Sequence, residues 1–178
     1  MTSKRIAALL LALAWTMFAC AQARALTDEQ MLGVVFVANQ VEVATGNLAL
    51  RKTRSGSLQV FARRIVVEHD QVNQEIAALT QRYGTQPQRS ATSDALSKQG
   101  ADDIERLDSI SVYDFDEAYL DREVAWLGRL VNTVDGYIKE TGSADVRLLL
   151  IRARPSFILQ LDQAQRLQLT IGSPGLRR

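Results

Sequence analysis

The chain has 178 residues, of which 47% are hydrophobic, and its 21 Lys and Arg nearly balance its 20 Asp and Glu. This length suits one domain with a sizeable core. The basic residues are scattered among acidic ones, whereas nucleic-acid-binding proteins concentrate them on one face. We therefore expect no nucleic-acid partner.

The first 25 residues have the order of a secretory signal peptide. Met1–Arg5 is short and basic, Ile6–Ala19 is apolar, and Ala23-Arg24-Ala25 fits the small-x-small pattern of a signal peptidase site. The apolar run has 14 residues, whereas a membrane-spanning helix needs about 20, so a retained anchor is the weaker alternative. We predict cleavage after Ala25, with Ala21 as the alternative site, and a periplasmic or otherwise exported protein.

Cys20, the only cysteine, lies at the end of that apolar run. A lipoprotein signal also places a cysteine there, but Phe18 is bulky where a small residue is usual, so lipidation is the weaker alternative. Removal of residues 1–25 would leave 18 basic and 20 acidic residues and no thiol. Such a chain forms no disulfide and no thiolate metal site. We predict a helical domain at 26–171 and a disordered tail at 172–178.

Helix caps and turn residues divide this domain into helices. Thr27 and Gln30 have the spacing of a capping box, Ser55-Gly56-Ser57 is a break, and Gly84 suits the end of a helix. Pro155 is expected to kink or break the last helix, because it cannot donate a hydrogen bond to the carbonyl of Ile151. The predicted helices cover about 27–52, 57–83, 94–107, 115–140 and 144–170.

Apolar residues in the four long helices recur at alternating steps of three and four, which predicts one buried seam on each helix. Four such helices pack naturally as a bundle, so we predict an all-α fold. The seams are Met31, Val35, Ala38, Glu42, Thr45 and Ala49; Leu58, Ala62, Ile65, His69, Val72, Ile76, Leu79 and Tyr83; Leu120, Val124, Leu127, Val131, Val134 and Ile138; and Val146, Leu150, Ala153, Phe157, Gln160, Ala164, Leu167 and Ile171.

Three polar seam residues, Glu42, His69 and Gln160, lie near the middles of their helices, where the third seam has Leu127. A buried carboxylate needs a partner, so we expect Glu42 to form a charge-assisted hydrogen bond with His69. The alternative is a metal site in the bundle centre. His69 is the only histidine and no Glu-x-x-His occurs, whereas a di-iron bundle uses two such pairs.

Four short sequence motifs occur along the chain in the same order as similar motifs in a known protein family. They are FVA–EV–GNLA within 36–49, VFARRIV–EH–NQE within 60–75, FDEAY–V within 115–124, and ARP–L–A within 153–164. Together they resemble a bacterial exported family of unknown function in the ferritin-like superfamily, whose members are often labelled predicted outer membrane proteins.

The resemblance implies a ferritin-like four-helix bundle with a short extra helix in the crossover between the second and third long helices. The family usually has further histidines on its third and fourth helices, at positions that correspond to Leu127 and Gln160, so only Glu42 and His69 would remain as metal ligands. We therefore expect a divergent, non-enzymatic envelope protein without a cofactor, acting as a structural or interaction module. The alternative is a metal-binding or oxidative-stress protein that uses iron, manganese or zinc.

The sequence identifies no specific partner. An envelope protein, a membrane surface and a second copy of the chain all remain candidates, and outer-membrane association is one option for the exported protein.

Overall fold

The computed structural model describes residues 25–171, which form five α-helices and no β-strand. The all-helical prediction is confirmed. The predicted signal peptide, apart from Ala25, and the predicted tail lie outside the described residues. The helices are α1 (Asp28–Lys52), α2 (Gly56–Arg82), α3 (Ala91–Ser109), α4 (Phe115–Glu140) and α5 (Ala144–Ile171).

The first two helices begin and end close to where the cap residues predict. Thr27 and Gln30 form both hydrogen bonds of a capping box at the start of α1. The hydroxyl of Ser55 accepts from the amide of Leu58 and so caps α2. Just beyond α2, Gly84 has a φ of +66°, a left-handed conformation that glycine adopts without steric cost.

The connecting helix α3 is longer than the predicted 94–107. It starts at Ala91 because Ser90 and Ser93 form a reciprocal cap, in which serine takes the place of the usual glutamate or glutamine. At its other end, the ammonium group of Lys52 donates to the carbonyl oxygens of Leu107 and Ile110, at 3.2 and 2.9 Å. These bonds fasten α3 to the end of α1.

Neighbouring long helices run antiparallel. Asn39 of α1 bonds to Asn73 of α2, while Asp28 and Glu42 of α1 contact Thr141 and Arg122 of α4. By the same kind of evidence, α5 runs antiparallel to α4 through the Arg154–Asp135 pair, and to α2 through the Gln160–Glu68 bond.

Most predicted seam residues are buried, with one exception on α2 and a correction on α4. Tyr83 is 57% exposed because α2 has already ended. On α4, Val124, Val131 and Ile138 are only partly buried. The residues buried beside the predicted seam are Tyr119, Arg122, Glu123, Trp126, Leu130 and Tyr137. The helix contacts α5 on one side and α1 and α3 on the other, so it buries a wider face than one seam.

The expected break at Pro155 does not occur, because α5 is continuous from Ala144 to Ile171. Pro155 lies on the exposed side of the helix, where the carbonyl left without a donor can be hydrated. Within residues 25–171, no helix combines the length and the apolar character needed to cross a membrane.

Candidate functional site

A layer of buried polar side chains crosses the middle of the bundle. On each long helix the polar residue falls between members of two apolar clusters, for example Glu42 between Val41 and Leu48, and His69 between Ile65 and Val72. The members of this polar layer are at most 8% exposed: Asn39, Glu42, His69, Asn73, Arg122, Glu123 and Gln160. They are contributed by four different helices, so the layer joins the whole bundle.

Arg122 is the cation of this layer. Its Nη1 donates to Oε1 of Glu42 and, at 3.0 Å, to Oε1 of Glu123. The guanidinium also lies over the ring of Trp126, 4.3 Å from the ring centroid, which adds a cation–π contact. A second, longer contact of 3.8 Å joins Nε to Asp103 of α3. One buried positive charge therefore lies between two buried carboxyl groups.

The pKa values of the two carboxyl groups are shifted in opposite directions. Burial tends to raise the pKa of Glu42, but the charge of the Arg122 guanidinium and the hydrogen bonds from Glu123 and Arg122 outweigh it and hold this pKa below its usual value. Burial raises the pKa of Glu123 well above its usual value, and the neighbouring negative charge of Glu42 adds to that effect against the attraction of Arg122. At neutral pH we expect Glu42 to be ionised and Glu123 to be protonated, so that the trio carries no net charge.

His69 is held between two amide side chains. Its Nδ1 lies 2.8 Å from Oδ1 of Asn39, and its Nε2 lies 3.0 Å from Oε1 of Gln160. The imidazole also stacks on Phe157, with ring centroids 5.1 Å apart. Burial lowers the pKa of His69 despite the opposing effect of Glu42, so the neutral ring is the expected form.

Gln160 connects this histidine to the surface. Its Nε2 donates to Oε2 of Glu68 at 3.0 Å, and the hydroxyl of Ser156 donates to the same oxygen. Since an ionised carboxylate only accepts hydrogen bonds, Glu68 orients the Gln160 amide with its oxygen towards His69. That orientation requires Nε2 of the imidazole to carry a proton. A surface carboxylate thus fixes the tautomer of a buried ring.

The neutral tautomer has a consequence for the two asparagines. With the proton on Nε2, the Nδ1 of His69 can only accept a hydrogen bond. In the structure, Nδ1 faces Oδ1 of Asn39, and the Asn39 amide nitrogen donates to Oδ1 of Asn73 at 3.1 Å. This orientation suits a doubly protonated ring, whereas a neutral ring protonated on Nε2 requires the amides of Asn39 and Asn73 to be turned over. The amide orientation of this pair therefore follows the charge of His69.

The expected hydrogen bond between Glu42 and His69 is not formed. The two side chains are neighbours, but Nε2 of His69 lies 3.9 Å from Oε2 of Glu42, which exceeds hydrogen-bond distance. Glu42 pairs with Arg122 instead, and His69 pairs with Asn39 and Gln160. Thr45, a further polar residue of the predicted α1 seam, donates to the carbonyl of Val41 on its own helix.

The two positions with which the family resemblance aligns histidines have different surroundings. Gln160 lies in the polar layer and contacts His69. Leu127 is fully buried in the apolar cluster around Phe61 and Tyr119. Among residues 25–171, no three His, Cys, Asp or Glu side chains are arranged to hold a metal ion.

Sequence reasoning missed Arg122 and Glu123, which complete the site. The spacing of Tyr119, Glu123, Trp126 and Leu130 follows the same alternating steps as the predicted α4 seam, displaced by one residue. Large aromatic residues on this second stripe were the available signal, because Tyr and Trp favour buried positions with a polar partner. Nothing in the periodicity distinguishes a buried Arg122 from a solvated one.

The match to a family model covers residues 15–167 and carries the description "Domain of unknown function (DUF4142)". The chain belongs to this family. Comparison with curated proteins and with solved structures found no match. The DUF4142 match covers α1 to α4 and all but the last turn of α5, so every residue of the polar layer lies within the family domain.

Proposed function

We propose that the protein is a non-enzymatic, exported helical-bundle protein of the periplasm or envelope that acts as a structural or interaction module. The observation that carries this proposal is the ion network at the bundle centre, where Arg122 provides the positive charge between Glu42 and Glu123. An internal cation and one protonated carboxyl group leave the centre neutral. This internal pairing of charges supports a structural role for the layer.

A ferritin-like order of helices is part of the proposal. Its support is the direction of the helices, since α2 and α4 both run antiparallel to α1, and α5 runs antiparallel to both α2 and α4. Two consecutive helices in the same direction, α2 and α4, require a long connection, and residues 83–114 with α3 provide one. Export and an envelope location are supported by the sequence of residues 1–25, which has the order of a signal peptide.

A second candidate function is metal binding, with Glu42 and His69 as ligands to iron, manganese or zinc. One observation favours it: within the described residues, Oε2 of Glu42, Oε2 of Glu123 and the hydroxyl of Tyr119 are buried without a hydrogen-bond partner. Such oxygens usually bind water or an ion. Against it, a metal between the two carboxyl groups would have to displace the Arg122 guanidinium, which already bonds to both.

Metal analysis of the processed protein separates the two functions. The protein would be purified from cells supplied with iron, manganese and zinc, and its metal content measured by mass spectrometry beside that of His69→Ala. Asp162→Ala, at a partly exposed position on α5, is the matched control. We expect less than a stoichiometric amount of any metal in all three proteins. Stoichiometric metal in the parent and the control, lost in His69→Ala, would overturn the proposal in favour of the metal function.

A further inference from the structure

The outward side of α2 and α5 carries several exposed apolar side chains beside charged ones. The two helices border an open groove of about 870 Å³. On α5, Leu148, Ile151 and Leu159 are each about half exposed, at 51%, 47% and 47%. On α2, Val60 and Val67 are 65% and 60% exposed. Leu148 and Leu159 line the groove, whereas Ile151, Val60 and Val67 are exposed elsewhere on the same two helices. The groove and these exposed residues are here named the α2–α5 face.

The register between the two helices follows from three contacts. The hydroxyl of Tyr83 bonds to Asp145 at one end of the face, and Glu68 bonds to both Ser156 and Gln160 further along. Since the helices are antiparallel, each step back along α2 corresponds to one step forward along α5. Two pairs of oppositely charged residues therefore lie at the same height along this face. They are Arg82 with Asp145, and Glu75 with Arg152.

These four charges are available for an external partner. Within residues 25–171, no ion pair involves Arg82, Glu75, Asp145 or Arg152, although all four line the same groove. The polar contacts they do make join Glu75 to Gln71 of its own helix and Asp145 to the Tyr83 hydroxyl just beyond α2. No ion pair joins Arg82 to Asp145 or Glu75 to Arg152 within the chain, although hydrogen bonds of Glu68 and Tyr83 link the same two helices.

We infer that the α2–α5 face is the interface of a homodimer, in which α2 of one copy packs on α5 of the other about a two-fold axis parallel to the helices. Rotation about such an axis leaves the position of every residue along the helix direction unchanged. Arg82 of one copy therefore faces Asp145 of the second, and Glu75 faces Arg152. The symmetry produces each pair twice. The apolar side chains of the face pack between these ion pairs.

A second copy fits this face better than an unrelated partner because the charge pattern is complementary to itself. In an isologous interface residue i of one copy contacts residue j of the second and j contacts i, so charges on such a face must be complementary to each other, and those of the α2–α5 face are complementary at both levels. The segment of α5 from Asp145 to Leu159 is about 21 Å long. Four such helical segments form an interface of the class that buries roughly 1,200–2,000 Å². The inference rests on the proposed interaction role and assigns its partner.

Charge reversal tests the interface directly. Glu75→Arg places two arginines opposite each other in the dimer, and Arg152→Glu places two glutamates opposite each other, so each variant alone is expected to be a monomer. In a mixture of the two variants every opposing pair regains opposite charges, and a heterodimer is expected. Contacts within one chain cannot produce that rescue. Glu105→Arg on α3 and Arg54→Glu before α2, both exposed, are the matched controls.

Sedimentation equilibrium of the processed protein, with native mass spectrometry of the mixture, measures these states. We expect a dimer for the parent and the controls, at least tenfold weaker association for each reversal, and recovery in the mixture. A parent that is monomeric at 100 micromolar, or a mixture that stays monomeric, would overturn the inference. Circular dichroism shows that each variant is folded. A metal-free monomer would contradict the dimer alone, whereas a metal-loaded protein would contradict the proposed function alone.

Discussion

Arg122 and Glu42 form an ion pair at the centre of the bundle although 80 positions separate them in the chain. Their side chains are 2% and 0% exposed, so water can solvate neither charge. A buried charge without a partner costs several kcal/mol. The domain is therefore expected to depend on this pair far more than on exposed pairs such as Lys98–Asp102, which contribute about 0–1 kcal/mol.

The protonation of Glu123 predicts an unusual pH dependence. Its pKa is raised in the folded state well above the usual value of 4.5, so the folded protein keeps a proton that the unfolded chain releases above pH 4.5. The contribution of Glu123 to the free energy of unfolding is fully present below pH 4.5. It is lost as the pH rises towards the pKa of Glu123 in the folded protein. Glu123→Gln mimics the protonated form and removes this loss.

We therefore expect Glu123→Gln to gain stability relative to the parent by about 1.4 kcal/mol per pH unit within that window. Urea denaturation at a series of pH values measures the difference, and Glu105→Gln, at an exposed position on α3, is the control. Parallel stability profiles for the parent and Glu123→Gln would mean that Glu123 is not protonated in the folded protein.

Gln160 is expected to stabilise the domain through its hydrogen bonds to His69 and Glu68. Gln160→Leu would leave Nε2 of His69 without its acceptor and would remove one of the donors to Glu68. An orphaned buried group costs about 1–3 kcal/mol. Denaturation should show a loss of this size, against a change within about 0.5 kcal/mol for the exposed control Gln165→Leu. Equal effects of the two substitutions would show that the His69–Gln160 bond does not stabilise the domain.

The helices were largely predictable, because caps and apolar periodicity are local properties of the sequence. Thr27, Ser55 and Gly84 mark helix ends, and all six predicted seam residues of α1 are buried. The limits of α3 were less predictable because Ser90 and Ser93 form a cap that uses an uncommon residue pair.

The candidate site was only partly predictable, because partner choice is a tertiary property. Periodicity identified Glu42, His69 and Gln160 as polar residues in seams. It could not show that Arg122 reaches across from α4 to Glu42, nor that Asn39 takes the place beside His69 in which a carboxylate was expected. Arg122 belongs to the wider buried face of α4, and one seam per helix underestimates burial on a helix that has neighbours on both sides.

The predicted signal peptide leads to a specific N-terminus. Signal peptidase cleaves after small residues, so we expect the exported protein to begin at Leu26. Intact-mass measurement of the protein from an exporting bacterial host gives this directly. Cleavage after Ala21 would shift the start by four residues. A lipid-modified Cys20 or an intact Met1 would contradict processing at either site.

The most direct test of the internal ion pair is a double-mutant cycle with Arg122→Met, Glu42→Leu and the double variant. Arg122→Met leaves Glu42 buried without its cation and should cost about 3–5 kcal/mol. Glu42→Leu should cost less, because Glu123 can then ionise beside Arg122. The double variant removes both charges, so its loss in the free energy of unfolding should be smaller than the sum of the single losses by at least about 2 kcal/mol. Additivity within about 0.5 kcal/mol, as for independent sites, would contradict a bundle centre held together by Arg122 and Glu42.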